Sequence, residues 1–271
     1  MRIVNLMEDT LGVEGLCYEH GLSFYIETEK HKILLDTGAS PAFIENAKKL
    51  GIDLTQVDIV VLSHGHYDHA GGIMAFAKMN PAAKIYMQRT AGRDYYNLRD
   101  GIEKYIGIDK AILELPQVQF LDGDYQIDEE VCVFTDIRGR KYWPEGNLLL
   151  KEKTTEGYVQ DEFVHEQCLV VNDGKNRVLL SGCAHNGILN ILEAYQERFE
   201  DVPQKVISGF HMAKKGEYTA EEVRTIEDTA RELCKLNTKF YTGHCTGEAA
   251  FILMKKIMGE QLIFVHSGDK I

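Results

Sequence analysis

The chain has 271 residues, 30 Lys and Arg against 42 Asp and Glu, a net charge of −12 and 44% hydrophobic residues. A chain of this size and apolar content removes on the order of three quarters of its surface from water on folding, which excludes disordered and fibrous classes and favours one domain over residues 1–271. The acidic balance leaves no basic surplus for a nucleic-acid backbone, no run approaches the roughly 20 apolar residues of a membrane span, and Glu8 and Asp9 interrupt the amino terminus before signal-peptide length, so a cytoplasmic protein without nucleic-acid or membrane partners is expected.

In chain order, strands are expected at 2–7, 23–27, 32–36, 58–62, 84–88, 131–137, 166–172, 177–181, 205–210, 239–242 and 261–265. Helical periodicity occupies 41–50, with Pro41 suited to a first turn, and 187–199, and a further helix follows Thr219, which makes a capping box with Glu222. Interleaved helices and strands build a layered α/β structure, and the opening hairpins argue against a purely parallel sheet. Segments 92–107 and 138–162 carry no clear period; the second reads equally as a lid over a substrate or as a connecting loop. The six cysteines are dispersed with no C-x-x-C pair, which points to reduced thiols and to neither a disulfide framework nor a thiolate zinc site.

The informative stretch is Ser63-His64-Gly65-His66-Tyr67-Asp68-His69, directly after a buried-looking strand. His64 and His66, two apart, can point the same way from an extended segment, while Asp68 and His69 lie past a turn, so one stretch can serve two metal ions. Zinc and similar metals take imidazole and carboxylate ligands, and a catalytic site needs about three protein ligands per ion. Further histidines must therefore arrive from elsewhere. His185, His211 and His244 each follow an apolar strand and a small flexible pair; His20, His31, His165 and His266 lack that setting and read as structural or surface residues. Asp36-Thr37-Gly38 looks like half of an aspartic-protease site, but no second half occurs, so Asp36 is read as a buried carboxylate near the metal loop.

Asp36, the His64-x-His66-x-Asp68-His69 motif, His185 and a late His244 together resemble the metallo-β-lactamase superfamily over nearly the whole chain. The resemblance implies an α/β fold, a four-layer αββα sandwich, with His64, His66 and His185 holding one metal and Asp68, His69 and His244 a second. The segments around Cys183-Ala184-His185, Gly209-Phe210-His211 and Gly243-His244-Cys245 are similar to the branch named for dihydropterin–ribofuranosylaminobenzene phosphate synthase. His211 stands where the superfamily usually has a metal-bridging Asp, which removes one negative charge from between the ions and favours an anionic substrate.

The resemblance implies a metallo-hydrolase, or a related transferase or synthase, acting through metal-activated hydroxide on a small, phosphate-bearing substrate, a pterin-like one being the case suggested by the branch. Asp68 is the candidate for orienting the nucleophile, and His211 for ligating a metal or giving a proton to a leaving group. One or two divalent ions are expected, zinc foremost, with iron or manganese as alternatives. A lactonase or thioesterase on the same site, and a non-catalytic metal sensor, are the rival readings. Arg138, Arg140, Lys141, Lys214 and Lys215 are read as solvated surface charge. The oligomeric state is left open, a homodimer included.

Overall fold

The computed structural model describes residues 1–271. Six strands form the first sheet, in the spatial order Arg2–Met7, Ser23–Glu27, Lys32–Leu35, Ile59–Val61, Lys84–Gln88 and Val118–Leu121. The first three pair antiparallel and the rest parallel, as the opening hairpins require. A seven-stranded second sheet runs Leu262–Phe264, Lys239–Thr242, Lys205–Ile207, Arg177–Leu180, Cys168–Asn172, Val131–Phe134 and Tyr125–Gln126, with its first four strands parallel.

Alternation along these strands builds the layers, because successive side chains leave a strand on opposite faces. Ile33, Leu35, Ile59 and Val61 face inward and meet Leu169, Val171, Val178, Leu180 and Ile207 of the second sheet. Leu34 and Val60 face outward against Phe43, Ala47, Ile73 and Phe76, from the helices Ala42–Lys49 and Ile73–Met79. On the far side Leu179, Val206 and Phe240 pack against Ile191, Tyr195, Ile226, Leu233 and Met254, from helices Ile188–Phe199, Ala220–Leu233 and Glu248–Met258. The result is helix, sheet, sheet, helix: the expected αββα sandwich. The capping box of Thr219 with Glu222 is present at the start of Ala220–Leu233.

The two unassigned segments contain more order than the sequence suggests. Each folds as a hairpin, and the hairpins join into a four-stranded antiparallel sheet ordered Gly157–Gln160, Leu150–Thr154, Tyr95–Arg99, Ile102–Tyr105. It has its own small core of Tyr95, Ile106, Leu150 and Phe163. Many of its other side chains are exposed and charged, so no period-two signal survives in the sequence. No helix is long and apolar enough to cross a membrane.

His31 pins the two sheets together at the end remote from their parallel strand tips. Its ring bonds Asp58, ahead of one inner strand, through Nδ1, and Asp128, ahead of a strand of the other sheet, through Nε2 at 2.7 Å. Burial works against the charged ring, but hydrogen bonds to Asp128 and Asp58 outweigh it and raise its pKa above 6.5. A raised folded-state pKa stabilises fully below the unfolded value and loses that contribution as pH rises through the folded one. The stability difference between wild type and His31→Gln, read from urea midpoints, is therefore largest near pH 6 and shrinks by pH 9. A difference that grows with pH would contradict this pairing.

Candidate metal centre

Adjacent parallel strands deliver the candidate ligands side by side. In the first sheet Leu35 is in register with Val61, so Asp36 and the loop 63–69 emerge together. Asp36 turns into the left-handed region at φ 60° with its side chain fully buried. Its Oδ1 accepts the Ser63 N–H at 2.7 Å, and its Oδ2 accepts the Ser63 hydroxyl and the His69 Nδ1–H, each at 2.7 Å. Asp36 is thus the buried, hydrogen-bonded carboxylate that its sequence context suggests. His66 is extended, and the short helix Tyr67–Ala70 carries Asp68 and His69. In the second sheet Leu180, Ile207 and Tyr241 are in register, and His185, His211 and His244 follow their three strands. The site lies off the carboxyl ends of these strands, the usual location for ligands in open α/β sheets.

At the first position His64 Nε2 and His185 Nε2 stand 3.3 Å apart. Neither can donate to the other. Ser63 gives its hydroxyl proton to Asp36, so it accepts from His64 Nδ1–H at 2.8 Å, while His185 Nδ1–H donates to Asn147 Oδ1 at 2.9 Å. Both rings are fully buried, and burial with the neighbouring imidazoles pushes their pKa values well below 6.5. Two neutral rings with opposed lone pairs are an arrangement that a cation relieves, and a metal-binding His usually gives its other N–H to an outer partner. His66 lies beside this pair, with ring centroids 4.6 Å from His64 and 4.9 Å from His185, and its ligand atom also groups with Asp161 and His165. Its Nε2 is buried without a hydrogen-bond partner, and burial, with His165 alongside, pushes its pKa down to about 3. The donor set fits a divalent ion.

The second position gathers Asp68, His69 and His244. Asp68 Oδ2 lies 3.6 Å from His69 Nε2 and 3.4 Å from His244 Nε2. His244 Nδ1 bonds Asp9 Oδ1 at 2.5 Å, and the ring is held well above the usual histidine range by Asp68 and Asp9 although burial opposes it. The buried Asp68 and the half-buried Asp9 call for positive charge between them, from a proton or from an ion. His20 also belongs to this neighbourhood: it stacks on His244 at 5.0 Å, bonds Asp9 through Nδ1 at 2.7 Å and brings Nε2 to 3.5 Å from Asp68. Its sequence context, in a loop after Glu19, gave no such signal.

His211 is placed differently. Its ring lies 4.2 Å from that of His185, and it groups with Cys183 and Cys245 rather than with His69 and His244. Its Nδ1 is buried without a partner. The remaining histidines keep structural roles: His165 accepts the Gly65 N–H at Nδ1 and pairs with Asp161 through Nε2, and His266 bonds Thr10.

Several supporting residues escape sequence reasoning because they act from distant parts of the chain. Glu166 accepts the His185 N–H at 2.6 Å and two N–H groups of Asn186, each at 2.9 Å, holding the loop in which Ala184 has φ 51°. Glu8 accepts the His244 N–H. Gly182 is required by close approach, since a Cβ there would meet Ser63 Oγ at 2.3 Å.

The metal cleft, a cavity of about 150 Å³, shares His211 with a larger cavity of about 480 Å³ beside it. The larger wall includes Arg99 from the accessory sheet, Tyr142, Gly146, Lys214, Lys215 and Tyr218. Segment 138–162 therefore does border the cleft. Lys214 and Lys215 are exposed, as expected of surface charge, and stand on the rim of this cavity, whereas Arg138, Arg140 and Lys141 are exposed away from it and paired with Asp136, Glu162 and Glu232.

Residues 19–217 match the family model for the metallo-beta-lactamase superfamily. The chain belongs to the metallo-β-lactamase superfamily. Over 99% of its length, and 95% of the relative's, it is 27% identical to 7,8-dihydropterin-6-methyl-4-(β-D-ribofuranosyl)-aminobenzene-5′-phosphate synthase of Methanocaldococcus jannaschii. Among solved structures it is similar to Tm1679, a metal-dependent hydrolase of this superfamily, at 30% identity and a TM-score of 0.85, covering 100% of this chain and 98% of that one. The fold is also that of zinc-bound PqqB from Methylobacterium extorquens, at 12% identity and a TM-score of 0.58 over 100% and 99% of the two chains. The superfamily fold explains why the candidate ligands converge from both sheets.

Because Asp36 orients both His69 and, through Ser63, His64, Asp36→Asn is expected to weaken metal binding by about 10- to 100-fold, the usual effect of losing such an outer partner. Competition with a chromophoric chelator measures this; unchanged affinity in a folded variant would contradict the role.

Proposed function

We propose that the protein is a two-metal hydrolase, or a closely related transferase, acting on a small anionic, phosphate-bearing substrate. The observation that carries this reading is the cavity joined to the metal cleft at His211, whose mixed-charge wall holds two cations free of ion pairs, Arg99 and Lys215, beside two tyrosines. Arg99 and Lys215 form no ion pair, and Lys214 is paired with Glu222. Tyr142 and Tyr218 offer apolar faces for a ring, and the cavity volume of about 480 Å³ falls in the ordinary range for small-molecule sites. Asp100 and Glu145 also line the wall and leave room for selectivity among anions. The relative named as a dihydropterin–aminobenzene phosphate synthase supports a substrate with a flat heteroaromatic part and a phosphate.

His64, His66 and His185 would hold one ion, and Asp68, His69 and His244 the other. When bound, such ions supply water with a pKa lowered toward about 7 and electrostatic stabilisation of attacking and leaving oxygens. The chain's own groups do the rest. Asp68 Oδ2, between His69 and His244, is positioned to accept a hydrogen bond from the attacking water and fix its direction. His211, with Nδ1 unpartnered at the junction of the two cavities, is placed to hold a proton for the leaving group. Arg99 and Lys215 would bind the anionic end away from the reacting bond. The six free cysteines support a reducing, cytoplasmic setting.

Metal analysis followed by a screen of phosphomonoesters, phosphodiesters, lactones and thioesters tests the reading. Turnover of a phosphate ester, lost on chelation and restored by metal, is expected; turnover confined to lactones or thioesters, or full metal with no turnover, would overturn it. His66→Ala and His185→Ala are each expected to lose most bound metal by elemental analysis, and full retention by both would sink the ligand assignment. On a phosphate substrate Lys215→Ala is expected to raise KM roughly tenfold with little change in kcat, the scale of one charge-assisted hydrogen bond. An unchanged KM would remove the cavity from substrate binding.

A further inference from the structure

Cys183 occupies the seam between the two ligand groups. Its Sγ and the ligand nitrogens of His64 and His185 all lie within 4.8 Å of one another, and the same holds for Cys183 with His69 and His244. It is the one residue common to both groups. The side chain is 3% exposed, and its sulfur lies 3.2 Å from His69 Nε2. The other nitrogen of His69 is committed to Asp36, so Nε2 is the atom left to face both Cys183 and any ion.

Charge and donor count make the same case. Among the six expected ligands only Asp68 is anionic, and His211 groups with Cys183 and Cys245. With a single carboxylate in direct reach of the two positions, a sulfur donor within reach of both groups adds anionic charge where the ions would sit. We propose that Cys183 would serve as a seventh, sulfur ligand of this centre, from a position within reach of both ligand groups. This rests on the metal-centre reading above. A hydrogen bond joins Cys183 Sγ and His69 Nε2; with Nε2 turned to an ion, Cys183 would release its thiol proton to solvent and offer the sulfur lone pair in its place. A thiolate in this position shifts selectivity toward zinc, iron or cobalt and away from magnesium or manganese.

Cobalt(II), loaded into the metal-free full-length protein, is the probe. Wild type and Cys245→Ser, which alters the neighbouring thiol, are expected to show a near-ultraviolet sulfur-to-cobalt charge-transfer band, and Cys183→Ser to bind cobalt without it, with far-UV circular dichroism showing that all three are folded. Cobalt bound by wild type with no such band, or a band kept by Cys183→Ser and lost in Cys245→Ser, would overturn the cysteine ligand while leaving the histidine centre standing. Failure of wild type to bind cobalt would overturn both. X-ray absorption of the zinc-loaded wild type needs no variant: a sulfur scatterer near 2.3 Å is expected, and a shell of nitrogen and oxygen alone would refute the proposal.

Discussion

The Asp36 carboxylate is the contact on which the site's geometry depends. It is buried at the end of a strand in the first sheet and takes three hydrogen bonds, two from Ser63 and one from His69. Burying a charge is costly unless it is fully hydrogen-bonded, and here each bond that meets the cost also orients a candidate ligand. Ser63 passes the constraint on to His64, and His69 receives it directly. Loss of this carboxylate would leave buried donors unpaired at about 1–3 kcal/mol each and free two rings at once.

The other ligands are held by the same device from different parts of the chain. Asn147 fixes His185, Asp9 fixes His244, and Glu166 and Glu8 hold the backbone N–H groups of those two histidines. The local charge balance is accordingly richer than the ligand list implies. Asp9 and Asp36 stand behind His244 and His69, so two doubly charged ions would meet three carboxylates, with the Cys183 sulfur as a fourth anionic group on ionisation. The excess of acidic residues over the whole chain does not exclude an anionic substrate, because the cavity next to His211 presents Arg99 and Lys215 without ion-pair partners among its acidic and basic wall residues.

What the sequence makes legible follows from how far apart the cooperating residues lie. His64, His66, Asp68 and His69 lie within one turn and loop, so their pattern is visible directly; His185 and His244 are visible through the repeated strand-then-histidine form. Strands with a polar residue at each end of an apolar centre, such as Lys84–Gln88 and Lys239–Thr242, are read to the residue, whereas 205–210 is cut to Lys205–Ile207 where the chain leaves the sheet to form the site. Helix Glu248–Met258 lacks a side-chain cap, and the accessory sheet alternates poorly. His20, Cys183 and Glu166 meet the site through partners 48, 114 and 19 residues away, which no local pattern reports.

The central claim is that both sheets preorganise two adjacent metal positions. Anomalous X-ray diffraction from crystals of protein purified without chelators tests it most directly. The account predicts two peaks, one bounded by His64, His66 and His185 and the other by Asp68, His69 and His244. A metal-replete crystal with its ions elsewhere, or a single ion held outside both groups, would contradict it.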